Sequence, residues 1–132
     1  MKIGMICIGN SCRSQMAEGF LKHREDPNVE VYSAGTEPGD QINPNAILVM
    51  EELGIDLTGQ YPKYVEDIPD LDILVTMGCG VQCPSKPAKY RVAWEIDDPV
   101  GKDLDVFRQT RDIIQENINN LLYDMESGKF HE

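Results

Sequence analysis

A cysteine, an arginine and a serine near the start of the chain stand at a spacing that suits oxyanion chemistry. Cys7 is followed, after five intervening residues, by Arg13 and Ser14, and the intervening segment contains Gly9 and Asn10. Glycine and asparagine tolerate positive φ angles, so such a turn can direct successive backbone N–H groups towards one point. We therefore predict a cradle for a tetrahedral anion. Its residues are Ile8, Gly9, Asn10, Ser11, Cys12, Arg13 and Ser14.

Cys7 itself is predicted to be a nucleophile. A helix N-terminus and a nearby arginine stabilise a thiolate, and together they lower the pKa of a cysteine below its usual value of about 8.5. Arg13 can hold two oxygens of an anion at once, a geometry that lysine cannot reproduce. The alternative is a buried cysteine at a strand end beside an ordinary glycine turn. That alternative does not explain why an arginine and a serine stand at this spacing.

The elements that would position this loop alternate along the chain as short apolar runs and amphipathic stretches. This alternation is typical of a parallel sheet covered by helices. The predicted strands are residues 2–7, 30–33, 72–76 and 90–93. The first predicted helix covers residues 13–24, directly after the anion cradle.

Two further helices are predicted downstream. One begins with Asn43 as its N-cap and Pro44 as its first residue, and ends before Gly54. Its expected buried stripe is Ile47, Met50 and Leu53. The last helix ends near Gly128 and carries its buried residues at intervals of three or four. Those residues are Leu104, Phe107, Arg111, Ile114, Ile118, Leu121 and Met125.

Three segments rich in glycine, proline and aspartate are predicted loops, at residues 35–41, 78–89 and 97–102. Ligands of open parallel sheets bind outside the carboxyl ends of the strands. We therefore expect the loop after the first strand, the cysteine-bearing loop at 78–89 and the loop at 97–102 to converge. Displacing an oxygen from a pentavalent centre requires a proton, which Asp98 could give as general acid, with Asp97 as its competitor.

Length and charge narrow the class of protein. The 132 residues fit one domain, residues 1–132, and no stretch approaches the run of about 20 apolar residues that a membrane span needs. The 12 basic and 23 acidic residues give a net charge of −11, which disfavours nucleic acid and membrane surfaces as partners. We expect a soluble, cytoplasmic monomer without a cofactor or a metal. In that reducing compartment, cysteines are catalysts, metal ligands or core residues more often than disulfide staples.

The segment from Cys7 to Gly19 resembles the active-site loop of the low-molecular-weight protein tyrosine phosphatase family. Its part from Ser14, Ser-Gln-Met-Ala-Glu, is similar to the arsenate reductase branch of that family. The resemblance implies a four-stranded parallel sheet flanked by helices, with Cys7 as nucleophile, Arg13 as oxyanion clamp and Asp98 as general acid. Other matching stretches are Tyr32-Ser33-Ala34-Gly35, Asn43-Pro44, Val75-Thr76, Cys83-Pro84 and Asp97-Asp98-Pro99.

Two further cysteines, Cys79 and Cys83, favour the reductase over the phosphatase. In arsenate reduction Cys7 would form a thiol–arsenate adduct, Cys79 would attack Cys7 to release arsenite, and Cys83 would pass the disulfide to an external reductant. Thioredoxin, a glutaredoxin-like protein or a small thiol could be that reductant. The chain departs from thioredoxin-coupled reductases because three residues separate these cysteines, where those proteins have six.

The phosphatase remains the alternative enzyme. It would hydrolyse phosphomonoesters through a phosphocysteine intermediate on Cys7, and it needs no relay because water completes the reaction. The phosphatase branch carries an aromatic residue just after its Asp-Pro, whereas Val100 and Gly101 follow here. This difference favours a small inorganic substrate.

Other hypotheses remain open around the loop. Cys12 could be an inert packing residue, a disulfide partner that protects Cys7, or a participant in the relay. A binding module with structural zinc on the four cysteines is a second rival, but it would leave Arg13 and the glycine-rich cradle unexplained.

The resemblance also raises the question of potassium, which some members of the family bind near the loop. Asn10, Glu18 and Ser33 match three of the ligand positions of that site. The fourth position is acidic in those proteins but is Lys63 here. The lysine argues against potassium.

Overall fold

The computed structural model describes residues 1–77 and 86–129, which contain four strands, three α-helices and one 3-10 helix. In chain order the elements are β1 Lys2–Cys7, α1 Arg13–His23, β2 Glu30–Gly35, α2 Pro44–Glu51, the 3-10 helix Val65–Asp67, β3 Leu71–Met77, β4 Ala88–Trp94 and α3 Leu104–Glu126. The predicted α/β architecture is confirmed. None of the helices in these described ranges is both long and apolar enough to span a membrane.

The four strands form one parallel sheet in the order β2-β1-β3-β4. β1 lies inside the sheet, and every residue of it after Lys2 is buried, as its apolar sequence predicts for a strand covered on both faces. The register sets Cys7 beside Gly35 of β2, and Ile6 beside Thr76 of β3. The carboxyl ends of these strands therefore lie at the same edge, where the loops that follow them can meet.

The edge strand β4 is longer than predicted. The sequence indicated residues 90–93, with 88 and 89 in a loop, whereas the strand covers Ala88–Trp94. Its residues alternate between half-buried and exposed, which is the pattern of a strand with one face towards water. Lys89 and Arg91 occupy exposed positions. The charge of Lys89 interrupts the apolar run, so the predicted strand began too late.

The apolar core is divided between the two faces of the sheet. The larger cluster joins alternate residues of β1, such as Ile3 and Met5, to α1, α2 and α3. The smaller cluster contains Ile6 and Leu74, which point to the opposite face and pack with Val65 of the 3-10 helix. The predicted arrangement of a parallel sheet flanked by helices is therefore confirmed, and all three α-helices contribute to the larger cluster.

The buried face of α2 differs from the prediction. The helix ends at Glu51, so Leu53 lies beyond it and is 40% exposed. Of the expected stripe only Met50 is fully buried, and Ile47 is half-buried. A helix of two turns presents a narrow face, and its position against α3 selects the other residues. The buried residues of α2 are Ala46, Val49 and Met50.

Candidate active site

The loop between β1 and α1 is held from outside by the segment that follows β2. Backbone N–H groups of that segment donate to carbonyl oxygens of the loop over N···O distances of 2.7–2.9 Å. Because C=O and N–H of a trans peptide point in opposite directions, carbonyls engaged from outside turn the N–H groups of the loop inward. The pairs are Glu37 N–H to Ile8 C=O, Gly39 N–H to Gly9 C=O, and Asn43 N–H to Ser11 C=O.

Asn10 bends the loop. Its φ angle is +48°, a left-handed conformation that asparagine tolerates, while Gly9, predicted to share this role, does not have a positive φ. The Asn10 side chain binds on two sides, because Oδ1 accepts the backbone N–H of Lys63 at 2.9 Å and Nδ2 donates to Ser14 Oγ at 2.8 Å. The Lys63 N–H fixes which side of the amide is the oxygen. The amide NH2 group must therefore face Ser14.

Cys7 lies at the centre of this arrangement. Its Sγ atom is 2.8 Å from Ser14 Oγ and 3.3 Å from the backbone nitrogen of Asn10, and the residue is only 4% exposed. A thiolate at Cys7 has no proton to donate, so in that state the Ser14 hydroxyl, which accepts from the Asn10 amide, gives its own proton to the sulfur. An O–H donor and an N–H donor thus converge on Sγ, an arrangement that stabilises negative charge on the sulfur.

Replacing Ser14 with alanine should slow the reaction of Cys7 with an alkylating agent. We expect a decrease of about fivefold, which corresponds to the loss of one hydrogen bond worth about 1 kcal/mol. The rate is measured by mass spectrometry of the Cys7 peptide during treatment with iodoacetamide at neutral pH. Ser127→Ala is the matched control, because the Ser127 hydroxyl donates to the Tyr123 carbonyl at the end of α3. An unchanged rate in Ser14→Ala would mean that the hydroxyl has no effect on the sulfur.

Arg13 connects the loop to the ends of two other strands. Its Nη1 atom donates to the carbonyl oxygens of Met77, at the end of β3, and Ile96, just after β4, over 2.6 Å and 2.8 Å. Its Nη2 atom lies 3.8 Å from Asp98 Oδ2. The Arg13 side chain is 7% exposed and that of Asp98 is 53% exposed. The guanidinium is therefore fixed by the sheet, whereas the carboxylate faces solvent at the rim.

Asp98 and Asp97 compete for the predicted role of general acid. Both residues are exposed, and Asp98 is the one within ion-pair distance of Arg13. The backbone N–H of Val100 donates to Asp98 Oδ1 at 3.1 Å, which orients the carboxylate within its turn. This geometry favours Asp98, whose role as a proton donor stays a prediction.

Cys12 belongs to the apolar core and is 3% exposed. Burial raises the pKa of its thiol to about 12, with the charges of Asp98 and Cys7 adding to the effect and Arg13 opposing it. The residue is therefore a neutral thiol at physiological pH, which makes it a poor nucleophile. Of the three roles open to Cys12, this environment favours packing. Cys7 and Cys12 are both free cysteines.

The other two predicted relay residues, Cys79 and Cys83, lie in residues 78–85, outside the described residues. Next to that segment, the structure describes the Met77 carbonyl, which accepts from Arg13. Residues 1–77 and 86–129 contain no group of three or more histidine, cysteine, aspartate or glutamate side chains that could hold a metal ion.

Two residues that shape the site were missed by the sequence analysis. Gly35 approaches the loop so closely that a Cβ atom on it would lie 2.3 Å from the Ile8 carbonyl oxygen. Gln15 is buried, and its Nε2 atom donates to the carbonyl oxygens of Asn10 and Tyr61 at 3.0 Å each. A glycine at the end of a strand was the available signal for the first residue. The sequence held no such signal for Gln15, because a glutamine on a helix is usually exposed.

Comparison with known protein families gives one extensive match. The model of the low molecular weight phosphotyrosine protein phosphatase family matches residues 2–129. Among curated proteins, the chain is similar to the glutaredoxin arsenate reductase of Synechocystis sp., with 39% identity over 126 residues. That alignment covers 92% of this chain and 95% of the relative.

Solved structures give matches of the same kind. The chain is similar to an arsenate reductase in the phosphate binding state, with a TM-score of 0.85 and 38% identity over 93% of this chain and 97% of that one. It is also similar to a thioredoxin-dependent arsenate reductase from Corynebacterium glutamicum, with a TM-score of 0.78 and 29% identity. This second alignment covers 96% of this chain and 62% of the other.

Proposed function

The chain belongs to the low molecular weight phosphotyrosine protein phosphatase family, and from that premise we propose that it is an arsenate reductase. The observation that carries the proposal is the β1–α1 loop, where donors from Asn10 and Ser14 converge on Cys7 Sγ. The Arg13 guanidinium stands beside this loop. The relatives that are named arsenate reductases support the choice of substrate over an organic phosphate.

In the first step, a tetrahedral arsenate binds the inward N–H groups of the loop and the Arg13 guanidinium. The Cys7 thiolate attacks arsenic, so that a sulfur–arsenic bond forms and one arsenic–oxygen bond breaks. Asp98 gives its proton to the departing oxygen, which leaves as water. The position of Asp98 beside Arg13 supports this assignment, because it sets a carboxyl group at the rim of the anion cradle.

In the second step, the thiolate of Cys79 attacks Cys7 Sγ. A Cys7–Cys79 disulfide forms, and the electron pair of the sulfur–arsenic bond stays with arsenic, which leaves as arsenite with arsenic reduced from +5 to +3. Cys83 then attacks the Cys79 sulfur and frees Cys7. An external thiol reductant, such as thioredoxin or glutaredoxin, reduces the Cys79–Cys83 disulfide. Both reductants are named in relatives of the chain, and cytoplasmic conditions would maintain them.

Cys83→Ser should abolish multiple turnovers of arsenate reduction, because the disulfide can no longer leave Cys7. The assay is arsenate-dependent oxidation of NADPH, coupled once to thioredoxin with its reductase and once to glutathione, glutaredoxin and glutathione reductase. We expect the wild type to be active with at least one coupling system, and the variant to release about one arsenite per enzyme. An inactive wild type in both systems would refute the reductase.

The alternative within the family is a phosphatase that uses the same Cys7, Arg13 and Asp98. Hydrolysis of para-nitrophenyl phosphate separates the two functions, since water completes that reaction and the relay is not used. A phosphatase would hydrolyse this ester rapidly, and its Cys83→Ser variant would be as active as the wild type. Val100 and Gly101, in place of an aromatic residue after Pro99, support the smaller inorganic substrate.

A further inference from the structure

Glu18 is a buried carboxylate on α1, one turn after Ser14, and its side chain is only 3% exposed. Ser33 Oγ donates to its Oε1 atom at 2.5 Å. Two ammonium groups accompany it, because Lys22 Nζ is 2.5 Å from Oε2 and Lys63 Nζ is 3.8 Å from Oε1. A buried carboxylate requires such partners, since the loss of hydration would otherwise be costly.

The two lysines differ in their connection to the active site. Lys22 is one turn further along the same helix, and its side chain is 53% exposed. The Lys63 side chain is 15% exposed, and its Nζ donates to the Tyr61 carbonyl at 2.8 Å. The Lys63 backbone N–H donates to Asn10 Oδ1, and its carbonyl accepts from Gly35 N–H at 2.8 Å. Lys63 therefore binds Glu18 with its side chain. With its backbone it binds the anion loop, which is the β1–α1 loop that forms the anion cradle.

Potassium does not fit this cluster. Asn10 Oδ1 and Ser33 Oγ, two of the oxygens that would be its ligands, each keep a lone pair beside their hydrogen bonds with the Lys63 N–H and Glu18, so the charge next to them decides whether potassium binds. The Lys63 ammonium group occupies the position of the fourth, acidic ligand. A metal ion near Glu18 would be repelled by that charge, and the repulsion is strong where water is largely excluded.

We propose that the Lys63 ammonium takes the place of a monovalent metal cation and holds the anion loop in its working geometry. It shares the neutralisation of Glu18 with Lys22, and its ion pair with Glu18 fixes the segment whose N–H orients Asn10. The Asn10 amide then binds Ser14, whose hydroxyl binds Cys7 Sγ. Lys63 is a positioning residue, because it acts on the sulfur through two others. Lys63 would support the loop in this way with any oxyanion substrate.

The test measures the melting temperature and the rate of Cys7 alkylation in KCl, NaCl and tetramethylammonium chloride at equal ionic strength. The wild type should give the same values in all three salts. Lys63→Met should alkylate more slowly than wild type, by about fivefold, since the loop loses its support. Lys22→Met is the matched control: it removes the other ammonium from Glu18 without a link to Asn10, and it should alkylate at the wild-type rate.

A third variant, Lys63→Asp, restores an acidic residue at the position. Its melting temperature should rise in KCl over tetramethylammonium chloride. No response to potassium in this variant would overturn the proposal, as would a wild type that potassium stabilises more than the other two salts. Equal alkylation rates in Lys63→Met and Lys22→Met would also overturn it. Should Lys63→Met fail to fold, the salt comparison on the wild type still decides.

Discussion

Arg13→Lys should lower kcat/KM for arsenate by about a thousandfold, the upper range for the loss of one donor aimed at a developing charge. The guanidinium binds two carbonyl oxygens, of Met77 and Ile96, through one nitrogen and approaches Asp98 with another. A lysine ammonium has a single nitrogen and cannot occupy both positions. It would bind either the carbonyls or the anion. The expected result is therefore a large loss of activity although the positive charge is kept.

The matched control is Arg108→Lys. Arg108 lies on α3 and pairs with Glu52 and Asp105, away from the anion loop. We expect kcat/KM within about twofold of wild type, since exposed ion pairs contribute little. Thermal unfolding of both variants separates loss of function from loss of fold. A folded Arg13→Lys enzyme that keeps more than a tenth of its kcat/KM would contradict the role given to the guanidinium.

The Arg13→Lys variant also tests the oxyanion site independently of which anion is the substrate. If the protein were a phosphatase, the loss should be equally large for para-nitrophenyl phosphate, because Arg13 would bind an equatorial oxygen of either anion. The Arg13 experiment therefore tests the oxyanion clamp, and the Cys83 experiment tests the reductase.

Features encoded by neighbouring residues were predictable. The Cys7 to Ser14 spacing predicted a loop between a strand and a helix, and the structure has β1 and α1 on either side of it. Asn43 was expected to cap α2, and its Oδ1 accepts the Asn45 N–H at 2.9 Å. Capping and tight turns depend on contacts within a few residues, so the sequence pattern alone contains the necessary information.

Features that depend on tertiary approach were not predictable in the same way. Arg13 has Asp98, and not Asp97, within ion-pair distance, and this choice depends on how the chain turns after β4. Lys63 lies more than 40 residues from Glu18 along the chain, and its residue type in a polar stretch indicates only an exposed position; it was the family resemblance that set it with Asn10 and Glu18. Its contact with Glu18 and Asn10 follows from the fold that brings this segment beside the loop.

Gly35→Ala should destabilise the protein by about 3 kcal/mol, the upper range for forcing a methyl group into a filled space. For a domain of this size the melting temperature should fall by about 10 °C. The added Cβ would lie 2.3 Å from the Ile8 carbonyl oxygen, a backbone atom that cannot rotate away. Gly35 is also paired with Cys7 in the sheet and donates its N–H to the Lys63 carbonyl. Relief of the clash must therefore displace the loop, the sheet or Lys63.

Each of these displacements moves Cys7 relative to its donors, so we expect kcat/KM to fall by about a hundredfold in the folded fraction, as for a misplacement of about 1 Å. Gly59→Ala is the matched control, because a Cβ atom there would meet nothing within 4 Å. Thermal unfolding and the coupled arsenate assay are run on both variants. If Gly35→Ala proved as stable and as active as Gly59→Ala, the end of β2 could move away from the loop without loss of stability or activity. The close contact of Gly35 with Ile8 would then not be what positions Cys7.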